Sequence, residues 1–405
     1  MWLFVAALAI GSCPSWAEEN ACSTPAKAVA ADAPQASARN IAGVLQPFVD
    51  AGTLAGAVTL VADQDTILAL EAVGQADIQA HKPMTTDALF WIASQSKSIT
   101  AAAFMMLVDE GKVNLDDRVE KYVPEFEEQW LFAEHDKAHQ LLKKPGHPIT
   151  VRHVLSHTSG MPKTSAMEKP ALDMLPLWAA VRSYTMTPLQ FEPGSGFRYS
   201  NAGINTAGRI IEVVTGMPYE EFMNKRLFEP LGMHDTTFRP NQEQLARLAK
   251  SYQPGAAKSG LEATPIGSLT YPLDDIKRQP VPAGGLFSTA SDIARFCQML
   301  LNGGQLDGKR YLSEQALREM TRRQTPASVK QSYGLGWRPE EDGSFGHGGA
   351  YATSMTIDPA NKLIMVYMVQ HASFAGDAKR KCLTAFQQAA NERFAPRVRA
   401  APRSK

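Results

Sequence analysis

An α+β fold (an α/β sandwich) is predicted, with one antiparallel sheet built from both chain ends, flanked by helices and interrupted by a mostly helical insertion. Three observations carry that prediction. Strand-like runs cluster near the two ends of the 405-residue chain, and capped helix signals fill its middle. The composition, 44% hydrophobic and 20% charged, is that of a globular domain large enough for one core or two packed ones.

Met1 to Ala17 carries no charged side chain and contains the apolar run Trp2 to Ile10. A bilayer-spanning helix needs about 20 apolar residues, so this run suits the core of a secretory signal. Ser15 and Ala17 are small residues placed for a cut after Ala17. Ile10-Gly11-Ser12-Cys13 offers a competing lipoprotein cut, in which a lipid at Cys13 is the one membrane attachment expected. Neither signal is preceded by the usual Lys or Arg. The protein is expected to be exported, periplasmic or secreted, and tethered if Cys13 is acylated.

Residues 18–39, rich in Ala, Pro and Ser, read as a linker, and residues 40–392 as the folded domain. A helix over Ile41 to Ala51 opens the domain. Gly56 to Val61 and Thr66 to Leu70 read as a hairpin across Asp63-Gln64-Asp65. The insertion spans roughly 115–280. Within it Thr150 caps a helix over Val151 to His157, and a helix over Ala207 to Thr215 stops at Gly216. Pro240 to Pro282 shows little periodicity and is expected to be an irregular surface segment. Thr289-Ala290-Ser291-Asp292 forms a capping box before the helix Ile293 to Leu301. Tyr333 to Arg338, Ala352 to Ile357 and Leu363 to Val369 are predicted strands, and a last helix runs through Ala385 to Glu392. Residues 393–405, with Arg393, Arg397, Arg399, Arg403 and Lys405 among Ala and Pro, form a solvated, disordered basic tail.

Forty-one basic residues balance forty-one acidic ones, which gives no reason to expect nucleic acid or an anionic surface as a partner. Cys22, Cys297 and Cys382 have no metal-like spacing, and which of them could pair is open. His153/His157 and His135/His139 are spaced four apart as on helices, but neither pair has a zincin Glu or a third ligand, so no metal is expected. No phosphate loop, dinucleotide fingerprint or Gly-x-Ser-x-Gly elbow occurs, and no cofactor is implied.

Three short segments carry chemistry. Ser94 precedes an apolar helical pattern ending at Gly111, so it stands at a helix N-terminus where free N–H groups favour developing negative charge. Lys97 follows one turn on, and it is the only Lys three residues after a Ser in the chain. Desolvation would lower its pKa and make the amine a base. Tyr199 and Asn201, two apart in extended or turn backbone, project to one side. Tyr199 could relay a proton, and Asn201 could bond Lys97 or a substrate amide. Phe345-Gly346-His347-Gly348-Gly349-Ala350 leads into a strand whose edge N–H can pair with that of Ser94 as an oxyanion site.

Their order resembles the three motifs of penicillin-recognising serine hydrolases, Ser-x-x-Lys, Tyr-x-Asn and a Lys- or His-headed Gly motif. The sequence is similar to the class C β-lactamase-related family over roughly residues 40–390. Val154-Leu155-Ser156-His157-Thr158-Ser159-Gly160 and Pro282-Ala283-Gly284-Gly285-Leu286-Phe287-Ser288-Thr289 look like its framework segments. The resemblance implies a β-lactamase/penicillin-binding-protein-like fold. It implies Ser94 as acylated nucleophile, Lys97 and Tyr199 as the coupled base and acid in an order the sequence leaves open, and Asn201 as their partner. His347 and Gly349 line the site, and the Ala350 N–H is the second oxyanion donor.

His347 stands where β-lactamases of this group carry a permanently charged Lys. Small esters, amides or D-amino-acid peptides are therefore expected as substrates ahead of β-lactams. Activity is expected to fall as pH drops through the His347 pKa, and His347→Lys to flatten that limb. A true β-lactamase or D,D-carboxypeptidase remains the near rival, and a catalytically silent peptidoglycan- or protein-binding relative the distant one. The sequence leaves the oligomeric state open.

Overall fold

A computed structural model describes residues 40–136, 138–255 and 260–395. The predicted signal and linker, Cys13 and Cys22, and the tail beyond residue 395 lie outside the described residues. The expected α+β arrangement is present, centred on a seven-stranded antiparallel sheet. Its strands are β1 (Gly56–Ala62), β2 (Ile67–Asp77), β3 (Lys82–Pro83), β4 (Arg338–Pro339), β5 (Phe345–Gly348), β6 (Ser354–Asp358) and β7 (Leu363–Met368). They lie in the order β4-β5-β6-β7-β1-β2-β3, so β1 and β7 are neighbours, with Val58 opposite Met368.

The two-residue period of β1 explains why all seven of its residues are buried. Val58, Leu60 and Ala62 face the main core with the helices α1 (Ser96–Asp109) and α4 (Ala290–Leu301). Ala57 and Val61 face a second core with α5 (Ala378–Phe394), through Cys382, Phe386 and Ala390. Twelve of the fourteen residues of α1 are buried, as expected of a central helix that is apolar nearly all round. Cys297 and Cys382 are both free and buried.

Local signals placed several elements well. The Asp63 carboxylate accepts from the N–H groups of Asp65 and Thr66, closing the β1–β2 turn. The Thr150 hydroxyl accepts from His153 N at the start of α2 (Val151–Leu155). α3 (Asn201–Thr215) ends at Gly216, whose φ of 68° suits glycine.

Other expectations need correction. Only Arg338 of the predicted strand Tyr333 to Arg338 is in a strand, because Gly336, at φ 76°, turns its backbone bonds elsewhere. Its N–H donates to Leu155 O, and its carbonyl accepts from Ser98 Oγ on α1. α2 stops at Leu155 and His157 has φ 62°, so His153 and His157 do not share a helix. His135 and His139 belong to a hairpin of Leu131–His135 with Gln140–Lys143, which the helical insertion did not foresee. The Thr289 hydroxyl does cap α4, but the Asp292 carboxylate turns to Asp235 N and Thr236 Oγ1 instead of completing the box. Pro240 to Pro282 holds a short helix (Gln242–Arg247) and a small hairpin. It also sends Tyr252, Ile266, Leu269 and Leu273 into the interior, and Arg278 forms a buried 2.7 Å ion pair with Asp173. That segment is a wall of the molecule, not a surface loop.

Candidate active site

Ser94 sits in a tight turn, Ala93–Gln95, between the short strand Phe90–Trp91 and α1. Ala93 has a φ of 46°, a strained value for a residue with a Cβ, and its neighbours hold it there. Ser96 Oγ donates to Ala93 O over 2.6 Å and accepts from Leu286 N, while Phe90–Trp91 pairs with Phe287–Ser288. The framework segment around Gly285 thus clamps the serine turn.

Lys97, in the first turn of α1, is fully buried. Its Nζ lies 3.1 Å from Ser94 Oγ and donates to Ala283 O over 2.5 Å. Burial holds its pKa well below the ordinary lysine range, and the positive charges of Lys163 and Arg338 add to the effect. A lowered pKa favours the neutral amine that a general base beside Ser94 requires. Ala283 is itself fixed, because its N–H donates to Asn205 Oδ1, and Asn205 Nδ2 bonds the Tyr184 hydroxyl.

Tyr199 lines the same cavity as Ser94, and its ring centre is 4.8 Å from Lys97 Nζ. Burial pushes its pKa up to about 12, against the opposing pull of nearby Ser94 and Arg338. Asn201 is not in extended backbone: it is the first residue of α3, capped by Ser200, whose hydroxyl accepts from Gly203 N. Its N–H donates to Lys163 O and its side chain lines the cavity, but the Lys97 amine bonds Ser94 and Ala283 rather than Asn201.

Gly349 and Ala350 follow β5 beside the serine turn. A Cβ on Gly349 would come within 2.6 Å of Ile92 O, so only glycine lets the strand end approach so closely. Among the described residues the N–H groups of Ser94 and Ala350 donate to no protein acceptor, and both residues line one cavity of about 490 Å³.

His347 lies beside Tyr199 with both ring nitrogens bonded to protein. Its Nδ1 is 2.8 Å from Gly348 O, which can only accept, so Nδ1 carries the proton. Its Nε2 then accepts from the Tyr333 hydroxyl over 3.0 Å. The ring is buried 6.3 Å from the Tyr199 ring, and burial, with Lys97 and Arg338 nearby, holds its pKa down to about 3. A histidine so placed braces β5 and does not titrate near neutrality.

Sequence reasoning missed several neighbours. His157, set aside as a structural histidine, packs 4.5 Å from the Tyr199 ring and accepts from Ser200 N through Nδ1. Arg338 and Lys163 line the cavity with no ion-pair partner among the described residues. Arg338 lay at the end of a predicted strand, where only the pairing of β4 with Gly346 reveals that it borders the site. Among the described residues no cluster of His, Cys, Asp or Glu is placed to hold a metal ion.

Comparison with known proteins gives consistent relatives. A family model described as Beta-lactamase matches residues 41–389. The chain is 33% identical over 378 residues to "Protein Rv1367c" of Mycobacterium tuberculosis (strain H37Rv), covering 84% of this chain and 90% of that protein. It is 28% identical over 314 residues to a Salmonella typhimurium protein named "Putative D-alanyl-D-alanine carboxypeptidase", covering 70% of this chain and 69% of that one. Among solved structures it is similar to "EstCE1, a hydrolase with promiscuous acyltransferase activity", at 25% identity and a TM-score of 0.73, covering 86% of this chain and 97% of that one.

Proposed function

This chain belongs to the beta-lactamase family of serine hydrolases, and we propose that it cleaves esters and amides whose leaving group carries a carboxylate, D-amino-acid peptides first among them, through an acyl-Ser94 intermediate. The observation that carries the reading is the meeting of Ser94 and Tyr199 in one cavity with Arg338, which has no ion-pair partner among the described residues, and with the buried Lys97 Nζ 3.1 Å from Ser94 Oγ. Ser94 Oγ attacks the carbonyl carbon and gives its proton to neutral Lys97. The oxyanion takes the N–H groups of Ser94 and Ala350. As the bond to the leaving group breaks, Tyr199 supplies that group's proton and recovers one from Lys97. Water then enters by the reverse proton path and frees the acid. The lowered pKa of the buried amine supports Lys97 as the base, and the raised pKa of the buried phenol supports Tyr199 as the acid.

His347 leaves the site without the permanently charged Lys that β-lactamases of this group carry there. Arg338 supplies a permanent cation at the cavity instead. The carboxypeptidase named among the relatives and the hydrolase EstCE1 both fit an acyl-serine path. Export through Met1 to Ala17 is part of the same proposal.

The test is an intact-mass measurement after exposure to a fluorophosphonate probe, joined to initial rates on p-nitrophenyl butyrate, nitrocefin and an acyl-D-Ala-D-Ala peptide. Labelling of Ser94, ester turnover and D-alanine release well above nitrocefin turnover is the expected result. An unlabelled Ser94 would overturn it in favour of a silent binder, and dominant nitrocefin turnover in favour of a β-lactamase.

The pH profile follows from the same groups. Protonated Lys97 cannot accept the Ser94 proton, so kcat/KM falls on the acid side as Lys97 is protonated, well below the ordinary lysine range. His347, already neutral down to about pH 3, adds no limb near neutrality, which replaces the dependence expected from the sequence. Arg338→Met removes a cation near Lys97, raises its pKa and moves the acid limb to higher pH. A limb unmoved by Arg338→Met but abolished by His347→Gln would assign it to the histidine.

A further inference from the structure

Lys163 and Lys169 reach the cavity from either side of the turn Ala166–Glu168. Both side chains are exposed at the cavity wall, and neither has an ion-pair partner among the described residues. Their backbone is held firmly. Lys163 O accepts from Asn201 N over 2.8 Å and from Ala202 N over 3.1 Å, which ties it to the start of α3. Between the two lysines, Ser165 and Glu168 cap the turn Ala166–Glu168, and Ser183 Oγ donates to Ser165 Oγ.

The one carboxylate on this segment is withdrawn from the lysines. Glu168 accepts from Ser165 N through Oε2 and from the Tyr184 hydroxyl through Oε1, is buried, and has its pKa raised by that burial. The fold thus spends its local acid on holding the turn and leaves two amines free toward the cavity. Lys163 is close enough to help depress the Lys97 pKa.

Taking the function proposed above as the premise, an acyl chain that meets Asn201 also meets the segment carrying the lysines, because Asn201 N donates to Lys163 O and all three residues line the cavity. We infer that Lys163 and Lys169 form an acyl-side subsite for a carboxylate, so that the preferred substrates carry an acidic group on the acyl portion. Two cations carried on one backbone turn attract such a group.

The test compares the p-nitrophenyl monoester of adipic acid with p-nitrophenyl hexanoate, which share leaving group and chain length and differ in the terminal carboxylate. The wild type is expected to favour the adipate ester about tenfold in kcat/KM, mainly through KM, the factor given by one charge-assisted hydrogen bond. High salt should shrink that preference. Lys163→Met with Lys169→Met should bring the two esters to parity, Lys163→Glu should reverse the order, and Arg338→Met should keep the adipate preference. Equal rates on the two esters in the wild type, or a preference that survives the double substitution, would overturn the subsite and leave the hydrolase reading standing. No turnover of either ester together with no phosphonate labelling of Ser94 would instead bring down the hydrolase reading itself.

Discussion

Ser94→Ala lowers kcat/KM on p-nitrophenyl butyrate by about 10⁴-fold or more, and adding Lys97→Ala to it costs almost nothing further. The non-additivity is the informative part. Lys97 Nζ lies 3.1 Å from Ser94 Oγ, and its one other bond is to Ala283 O, so its chemical work is exhausted once the serine oxygen is gone. Lys97→Ala alone is expected to cost about 10²- to 10⁴-fold, the usual worth of a positioned general base. It also leaves Ala283 O without its donor and opens space in the core, so its melting temperature should drop while that of Ser94→Ala hardly moves. Rates for the single and double variants, with thermal melts, decide the matter. A double variant worse than Ser94→Ala by the full Lys97→Ala factor would show that Lys97 acts on something other than the serine.

The site was legible in the sequence where a function depends on residues close along the chain. The Ser94–Lys97 spacing needs only one helical turn, and β1 needs only a two-residue period to bury both its faces. What sequence alone could not supply was set by contacts between distant segments. His347 looks like a substrate-facing residue until Tyr333, fourteen positions earlier, is seen to hold its Nε2. Tyr333 in turn was placed in a strand, because nothing local to it announces that Gly336 bonds to α1 and the end of α2. Asp292 completes a capping box by sequence, yet Thr236 and the Asp235 N–H offer its carboxylate a buried alternative. Pro240 to Pro282 is largely irregular, as its sequence implies, but irregular backbone is not the same as exposed backbone. The buried Arg278–Asp173 pair shows how such a segment can be interior once its polar groups are matched.

The same dependence on distant contacts makes the two adjacent glycines of the third motif unequal. A Cβ on Gly349 would lie 2.1 Å from Thr353 Oγ1 and 2.6 Å from Ile92 O, whereas a Cβ on Gly348 would meet only Thr353 O, at 3.4 Å. The threonine can rotate away, but the Ile92 carbonyl is backbone, two residues ahead of Ser94 and pinned by Ile92 N donating to Leu286 O. In Gly349→Ala the strand end must therefore withdraw from the serine turn and carry the Ala350 N–H with it. Losing one oxyanion donor, or misplacing it by about 1 Å, costs on the order of 10²-fold. Gly349→Ala should accordingly lose about that factor in kcat, with KM changing far less and phosphonate labelling of Ser94 slowed in parallel. Gly348→Ala, meeting only ordinary van der Waals contact, should lose much less. Because both substitutions add the same methyl group to neighbouring residues, a general weakening of the strand would affect them alike. Comparable kinetic losses in the two variants would therefore refute the close approach of this strand to Ile92 as the device that sets the oxyanion donor.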